Sequence, residues 1–487
     1  MAKEIELKLA IPAQAGDLLK QHRVLQQARS YDSKELINIY FDTDNLDLNR
    51  ARVALRVRKA GDQYIQTLKT AGNGSGGLHQ RGEWEWTVKG PELELEHIDP
   101  SLWPAPLDAD HLAQNLKPAF ETNFTRKKWL LDVSVDQMQA EIEMVLDNGA
   151  ALAGEHQDPI SEIELELITG ESDLLFKIAH DLSDEIPIQL SNISKAQRGY
   201  RLFAPHLAGT KVDRVPSFDT YDGLVKAAQI ELDHFIAARD TLAFDRNWLH
   251  LESLYESLLQ LRWCCYHLNR SSGISKVLKM PSYLTYKLRM FTYNLEHMVN
   301  IYRQSQAWQR LENSPSLLQQ QADFSLLNSQ YHTIINEPWM GQTLLEAMQW
   351  LHILSHEDLS QPFHDNESIF QDLLSRVQLP LHPTDKILWL KQASPLLHLI
   401  RWTNYQNPTP GLGTKHLIHE ANELIELINE LGGLMSEELA IQNLINDNQK
   451  IEPALLTNNQ KDQYNKVLEL GRVALSFNTL KKNLQTH

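Results

Sequence analysis

The stretch KEIELKL, Lys3–Leu9, is nearly repeated by SEIELEL at Ser161–Leu167. Charged and aliphatic residues alternate in both: Glu4, Glu6 and Lys8 in the first, Glu162, Glu164 and Glu166 in the second. Side chains along a β-strand point to opposite faces in turn, so this period predicts strands with one charged and one apolar face. INIYFDT, VALRVRK, YIQTLKT, GEWEWTV and AEIEMVL follow the same rule, all before residue 205. Asp147–Asn148–Gly149 reads as a hairpin turn between two such segments. AGNGSGG, Ala71–Gly77, reads as a strand connection, since it lacks the lysine and Ser/Thr of a phosphate loop. Phe176–Glu185 predicts a short helix. The region as a whole predicts antiparallel β structure, curled or closed.

Ala204–Pro216, APHLAGTKVDRVP, predicts a linker, and beyond it the period changes. In LESLYESLLQLRW, Leu251, Leu254, Tyr255 and Leu258 keep the i, i+3, i+4, i+7 spacing of an amphipathic helix. GQTLLEAMQWLHIL and LIHEANELIELINELGGL continue it. At 487 residues the chain exceeds one ordinary core. The expectation is therefore an α+β chain of two domains: strands over 1–203, a linker over 204–216 and an all-α bundle over 217–487.

The formal net charge of −17 argues against general affinity for nucleic acid or an anionic membrane. No apolar run is long enough to cross a bilayer. Cys264 and Cys265 are adjacent and are the chain's 2 cysteines, which fits a reducing compartment. The amino-terminal residues carry a charged strand pattern and not a signal peptide. The expected setting is cytoplasmic.

Arg56 and Arg58 share one face of LRVRK, as do Arg81, Glu83 and Glu85 of RGEWEW, and Glu141 and Glu143 of AEIEM. Lys69 closes QTLK, and Arg126 precedes the lysine pair of NFTRKKW. If Ile5, Leu7 and Leu9 pack outward, these charges converge on an interior of mixed sign. Mg²⁺ takes one or two carboxylates together with phosphate oxygens. Arginine matches phosphate oxygens in pairs, and lysine adds a point charge. A linear polyphosphate bridged by metal satisfies both signs. Lys34 is expected on the surface, and Trp84 and Trp86 in the outer packing layer. His352 and His356, at i, i+4, and HLIHE at His416–Glu420 have no third ligand in sight and read as bundle surface.

These motifs resemble the CYTH superfamily, the triphosphate tunnel metalloenzymes, over about residues 1–203. EIELK matches its ExExK signature at Glu4, Glu6 and Lys8; LRVRK, TLK and RGEWEW follow in order, and SKAQRGY adds Lys195 and Arg198. The helical remainder resembles a CHAD domain, an order similar to that of bacterial inorganic triphosphatases. The resemblance implies an eight-stranded antiparallel β tunnel barrel followed by a helical bundle. It also implies Mg²⁺-dependent hydrolysis of inorganic tripolyphosphate to pyrophosphate and phosphate, with Mn²⁺ as an alternative ion. Glu4, Glu6, Glu143, Glu164 and Glu166 become metal ligands. Arg56, Arg58, Lys69, Arg81, Arg126, Lys195 and Arg198 hold phosphates, and Lys8 contacts substrate or assists water activation.

Two departures stand out. Phe124 occupies a place where many relatives carry a basic residue, leaving Lys127 or Lys128 to compensate. The counterpart of the basic CHAD helix, Tyr255–Cys265, retains only Arg262, which weighs against long-chain polyphosphate binding by the bundle. A nucleotide-handling CYTH enzyme (adenylate cyclase, thiamine triphosphatase or nucleoside triphosphatase) and a non-catalytic phosphopolymer-binding scaffold are the competing readings. Because every charged strand precedes residue 205, a fragment ending near Pro205 is expected to keep its activity.

Overall fold

The computed structural model describes residues 3–70, 73–75, 78–104, 107–205, 219–270, 274–310, 325–360, 366–380, 385–405, 411–446 and 453–485. Most of the expected linker, residues 206–216, lies outside them, as do Ala71–Gly72 and Gly76–Gly77 of the glycine-rich connection.

The alternating segments are strands. In chain order they are β1 (Lys3–Ala10), β2 (Ala28–Asp42), β3 (Ala54–Ala60), β4 (Gln63–Lys69), β5 (Asn73–Ser75), β6 (Leu78–Val88), β7 (Lys117–Val135), β8 (Met138–Ala153), β9 (His156–Gly170) and β10 (Gln189–Leu190). Every pairing is antiparallel, and the order is β10-β1-β9-β8-β7-β2-β3-β4-β6-β5, with β1 also paired to β6. The expected count of eight strands is thus corrected to ten: β1, β2, β3, β4, β6, β7, β8 and β9, with β5 and β10 added. The extra strands, β5 and β10, span only 3 and 2 residues, too few to leave a period in the sequence.

The expected hairpin at Asp147–Gly149 is a second correction. All three residues lie inside β8, and the chain reverses after Ala153. Gly149 is there for close approach: a Cβ would stand 2.1 Å from the Asn123 carbonyl oxygen of β7. The helix expected over Phe176–Glu185 forms as Asp173–Ser183.

The apolar faces pack as the alternation dictates. Leu7 and Leu9 are fully buried. Trp84 and Trp86 lie against the cluster of Leu48, Val53, Leu55, Leu68, Ile98 and Leu112. The helix Lys195–Phe203 is held by its own aromatic contact. Tyr200 meets Phe120 edge-on at 4.8 Å, Phe120 stacks on Tyr40, and the Tyr200 hydroxyl donates to Asp42 at 2.6 Å.

The chain divides into two compact units. The first holds residues 1–213 together with 232–254 and 334–350; the second holds 214–231, 255–333 and 351–487. The second unit is helical, built on such helices as Ser282–Arg310, Ala393–Tyr405, Leu412–Asn446 and Pro453–Gln485. Within it Trp389, Trp402, Phe291 and Phe477 are fully buried, and the fully buried Glu231 accepts from Arg401 at 2.9 Å. Cys264 and Cys265 are free and buried. His352 and His356 meet edge to face, and among the described residues no metal-ligand cluster includes them. No described helix is long and apolar enough to cross a membrane.

Candidate functional site

Register places the charges. Glu6 pairs with Glu166 across β1 and β9, and Glu166 with Glu143 across β9 and β8, so three carboxylates stand in one row. The next row joins Lys8, Glu164 and Val145. The third joins Ala10, Glu162, Asp147, Arg126 and Lys34. On the other strands the same parity presents Tyr40, Arg56, Arg58, Lys69 and Glu83. These rows surround a cavity of about 750 Å³. Its lining carries eight cationic residues (Lys8, Lys34, Arg56, Arg58, Lys69, Arg126, Lys128 and Lys195) against seven acidic ones. A chain of net charge −17 thereby keeps a chamber whose cationic and acidic side chains are nearly balanced in number.

One end of the cavity is a dense ionic cluster. Lys195 Nζ lies 2.6 Å from Asp147 Oδ2, 2.6 Å from Glu162 Oε1 and 3.0 Å from Glu164 Oε1. Lys8 Nζ lies 2.7 Å from Glu164, and Arg126 grips Asp147 through two nitrogens at 2.8 and 2.6 Å while reaching Glu164 at 2.9 Å. Burial works against the Lys8 ammonium, but Glu162 and Glu164 outweigh it and raise its pKa. Burial also opposes charge on Glu164, yet Lys195, Lys8 and Arg126 hold its carboxyl well below the usual range. Asp147, Glu162 and Glu164 have the spacing of a metal cluster, with ligand atoms within 4.8 Å of one another. Lys195 already supplies the cation at that spot, so this trio reads as an ammonium-holding site.

The row Glu6–Glu166–Glu143 is a second group of carboxylates, although among the described residues only Asp147, Glu162 and Glu164 bring ligand atoms within 4.8 Å of one another. Like charges directly opposite on a sheet repel, and all three are oxygen donors on the cavity wall, the donor set of a hard divalent ion. Glu143 is also paired with Lys128.

The opposite wall carries basic groups with fewer anions. Lys69 meets Glu83 at 2.7 Å, and Arg56 lies 3.8 Å from Glu83 and donates to the Tyr40 hydroxyl at 3.3 Å. Arg58 donates to the neutral Asn38 at 2.9 Å. Burial, with Arg56 and Arg126 nearby, lowers its guanidinium to about 9, the mark of a cation short of negative charge.

Of the expected residues, Glu6, Lys8, Arg56, Arg58, Lys69, Arg126, Glu143, Glu164, Glu166 and Lys195 all reach the cavity. Glu4 and Arg81 are register partners, but their side chains lie outside the described ones. Arg198 does not line the cavity: it turns to Asp158, at 3.4 Å, because the helix beginning at Lys195 places it nearly a turn further on. Lys34, expected on the surface, lines the cavity with 62% of its side chain exposed, since it shares parity with Leu36 and Tyr40. Lys128 reaches the wall and Lys127, of opposite parity, does not. Phe124 packs beneath the Lys195 ammonium, 5.0 Å from its ring centroid. Asp147 and Glu162 were missed as site residues. Parity with Glu143 and with Glu164 was the signal that could have found them.

Residues 2–200 match the CYTH domain family. Over 203 residues the chain is 36% identical to an inorganic triphosphatase of Haemophilus influenzae, covering 42% of this chain and 55% of that protein. The chain thus spans about half the length of this curated relative. Among solved structures, a Hippeastrum protein described as having a dominant triphosphatase activity shares 21% identity, over 40% of this chain and 94% of its own, with a TM-score of 0.29. The inorganic triphosphatase NE1496 shares 17% identity, over 36% and 79%, with a TM-score of 0.16.

Proposed function

We propose that the chain is a metal-dependent inorganic triphosphatase that hydrolyses tripolyphosphate to pyrophosphate and phosphate inside a charged β tunnel. The observation that carries this reading is the division of the cavity wall: a carboxylate row, Glu6–Glu166–Glu143, faces a basic wall centred on Arg56 and Arg58. Simple anion capture has no use for the carboxylates, and a cation store has no use for the guanidiniums. The 36% identity to an inorganic triphosphatase supports the same substrate.

In this reading Glu6, Glu143 and Glu166, joined by Glu4, hold Mg²⁺ or Mn²⁺. Such an ion neutralises phosphate oxygens and lowers the pKa of bound water. Arg56, Arg58 and Lys69 grip terminal phosphate oxygens and carry the charge that develops on them, with Arg81 as their partner on β6. Lys8 and Lys195, kept protonated by Asp147, Glu162 and Glu164, fix a phosphate oxygen at the ionic end and orient the water. Glu164 serves this ammonium pair in addition to any metal. The catalytic side chains lie within residues 1–203, and the helical residues after the linker form a CHAD-like region with no strong polyphosphate site. Tripolyphosphate is the partner, nucleic acid and membrane are not, and the setting is cytoplasmic.

The test is phosphate release from tripolyphosphate, ATP, thiamine triphosphate and long-chain polyphosphate with Mg²⁺. Tripolyphosphate should be cleaved with the highest kcat/KM. Preference for a nucleotide or for thiamine triphosphate would move the assignment to another CYTH activity.

A further inference from the structure

Lys8 and Lys195 are brought together by one short strand. Leu190 and Gln189 of β10 pair with Leu9 and Ala10 of β1, and the next amide, Ser191 N–H, donates to the Lys8 carbonyl at 3.1 Å. Four residues later the chain reaches Lys195, the first residue of a helix capped by Ser194. Two ladder pairs cannot hold a strand by themselves.

What holds it comes from residues far along the chain but inside the same compact unit. Arg239, only 4% exposed, donates to the Leu190 carbonyl and, at 3.2 Å, to Gln189 Oε1, with Asp240 bracing the guanidinium at 2.7 Å. Gln189 donates in turn to the Ile335 carbonyl, and Asn192 to Asp233 at 2.6 Å. Gly341 lies so close that a Cβ would stand 1.8 Å from the Ile188 carbonyl oxygen. Beyond Lys195, Arg201 packs on the Phe244 ring at 4.1 Å. A buried guanidinium is spent on a backbone stretch that bears no reactive group, and a buried charge is retained only where its hydrogen bonds are satisfied.

We propose that Arg239 is a positioning residue: by pinning β10 it sets the distance between the Lys8 and Lys195 ammoniums over Glu162 and Glu164, so that the helical residues 232–254 and 334–350 complete the catalytic unit. The kinetic part rests on the triphosphatase reading. The pinning itself is read by amide exchange, which needs no substrate.

The experiment compares full-length wild type with Arg239→Ala and Arg239→Lys by tripolyphosphate kinetics and hydrogen exchange. Misplacement by about 1 Å can cost on the order of 10²-fold in rate. Arg239→Ala should lower kcat at least about tenfold, and Arg239→Lys, which keeps the charge but not the guanidinium fork, should fall between it and wild type. Ser191 N–H should exchange faster in Arg239→Ala, while the β9 amides around Glu164 keep their protection. Wild-type kcat with unchanged Ser191 exchange would overturn the proposal, and so would equal loss of protection in β8 and β9, which marks a general stability role. If Arg239→Ala does not fold, Asp240→Ala, which removes the carboxylate bracing the Arg239 guanidinium, replaces it, with the same local exchange pattern expected and wild-type behaviour again decisive against it. A wild type that leaves tripolyphosphate intact would remove the functional reading, and the exchange result would still decide whether Arg239 pins β10.

Discussion

Lys8 and Glu164 are register partners across β1 and β9, and their side chains meet at 2.7 Å in a buried ion pair. With Lys195 and Arg126 on the same carboxylate, the pair forms the core of a network whose charges compensate one another. Breaking one member leaves buried charge unpaired, at a cost of about 3–5 kcal/mol.

Glu164→Gln should therefore lower thermal stability markedly at neutral pH. The sign with pH follows from the depressed Glu164 pKa. Its contribution is complete above the ordinary carboxylate value of about 4.5, declines below it, and is lost only as pH falls through the depressed folded-state value. Melting curves of wild type and variant should stay separated from pH 6 to 9 and converge in acid. A gap that closes between pH 7 and 9 would contradict this account.

The carboxylate row makes a separate claim. Mg²⁺ at about a hundred times its Kd should stabilise the protein by about 2.7 kcal/mol, which raises the Tm by several degrees. Glu166→Gln, at the centre of the row, should abolish most of that rise without substrate present. An undiminished Mg²⁺ response in both Glu6→Gln and Glu166→Gln would place the metal elsewhere.

Arg58 is the basic-wall cation most in need of an anion. Arg58→Ala should lower kcat/KM for tripolyphosphate about 10²-fold, the usual cost of losing one electrostatic donor. Lys59→Ala, on the same strand but facing away and exposed, should stay within about twofold. Lys34, though exposed, lines the cavity and is unsuited as a surface control. Similar losses at positions 58 and 59 would point to diffuse charge attraction.

The division into units changes the expected outcome of truncation. A fragment ending near Pro205 would lack Arg239 and residues 334–350, which pack with the strands. It should be insoluble or nearly inactive, because the apolar surface those helices cover becomes exposed. A soluble fragment with full kcat would show that the strands alone suffice.

Much of this site was legible because a strand has period two. Once Glu6 and Glu166 were read as strand charges, their convergence followed from parity alone. The same rule should have exposed Asp147 and Glu162, but Asp-Asn-Gly is so strong a turn signal that Asp147 was assigned to a loop. Close approach to β7, and not a reversal, is what Gly149 serves. Phe124 looked like a missing cation, whereas it forms the floor under Lys195. The Arg239 contacts left no trace, since a guanidinium bonding two backbone-proximal acceptors 49 and 50 residues away has no periodic signature.

The central claim is chemical, and product analysis tests it most directly. Tripolyphosphate incubated with the full-length protein and Mg²⁺ should give pyrophosphate and phosphate in equal amounts by ³¹P NMR. Glu6→Gln, folded by circular dichroism, should give neither. Tripolyphosphate left intact by folded wild type across Mg²⁺ and Mn²⁺ concentrations, or cleaved equally by Glu6→Gln, would contradict the account.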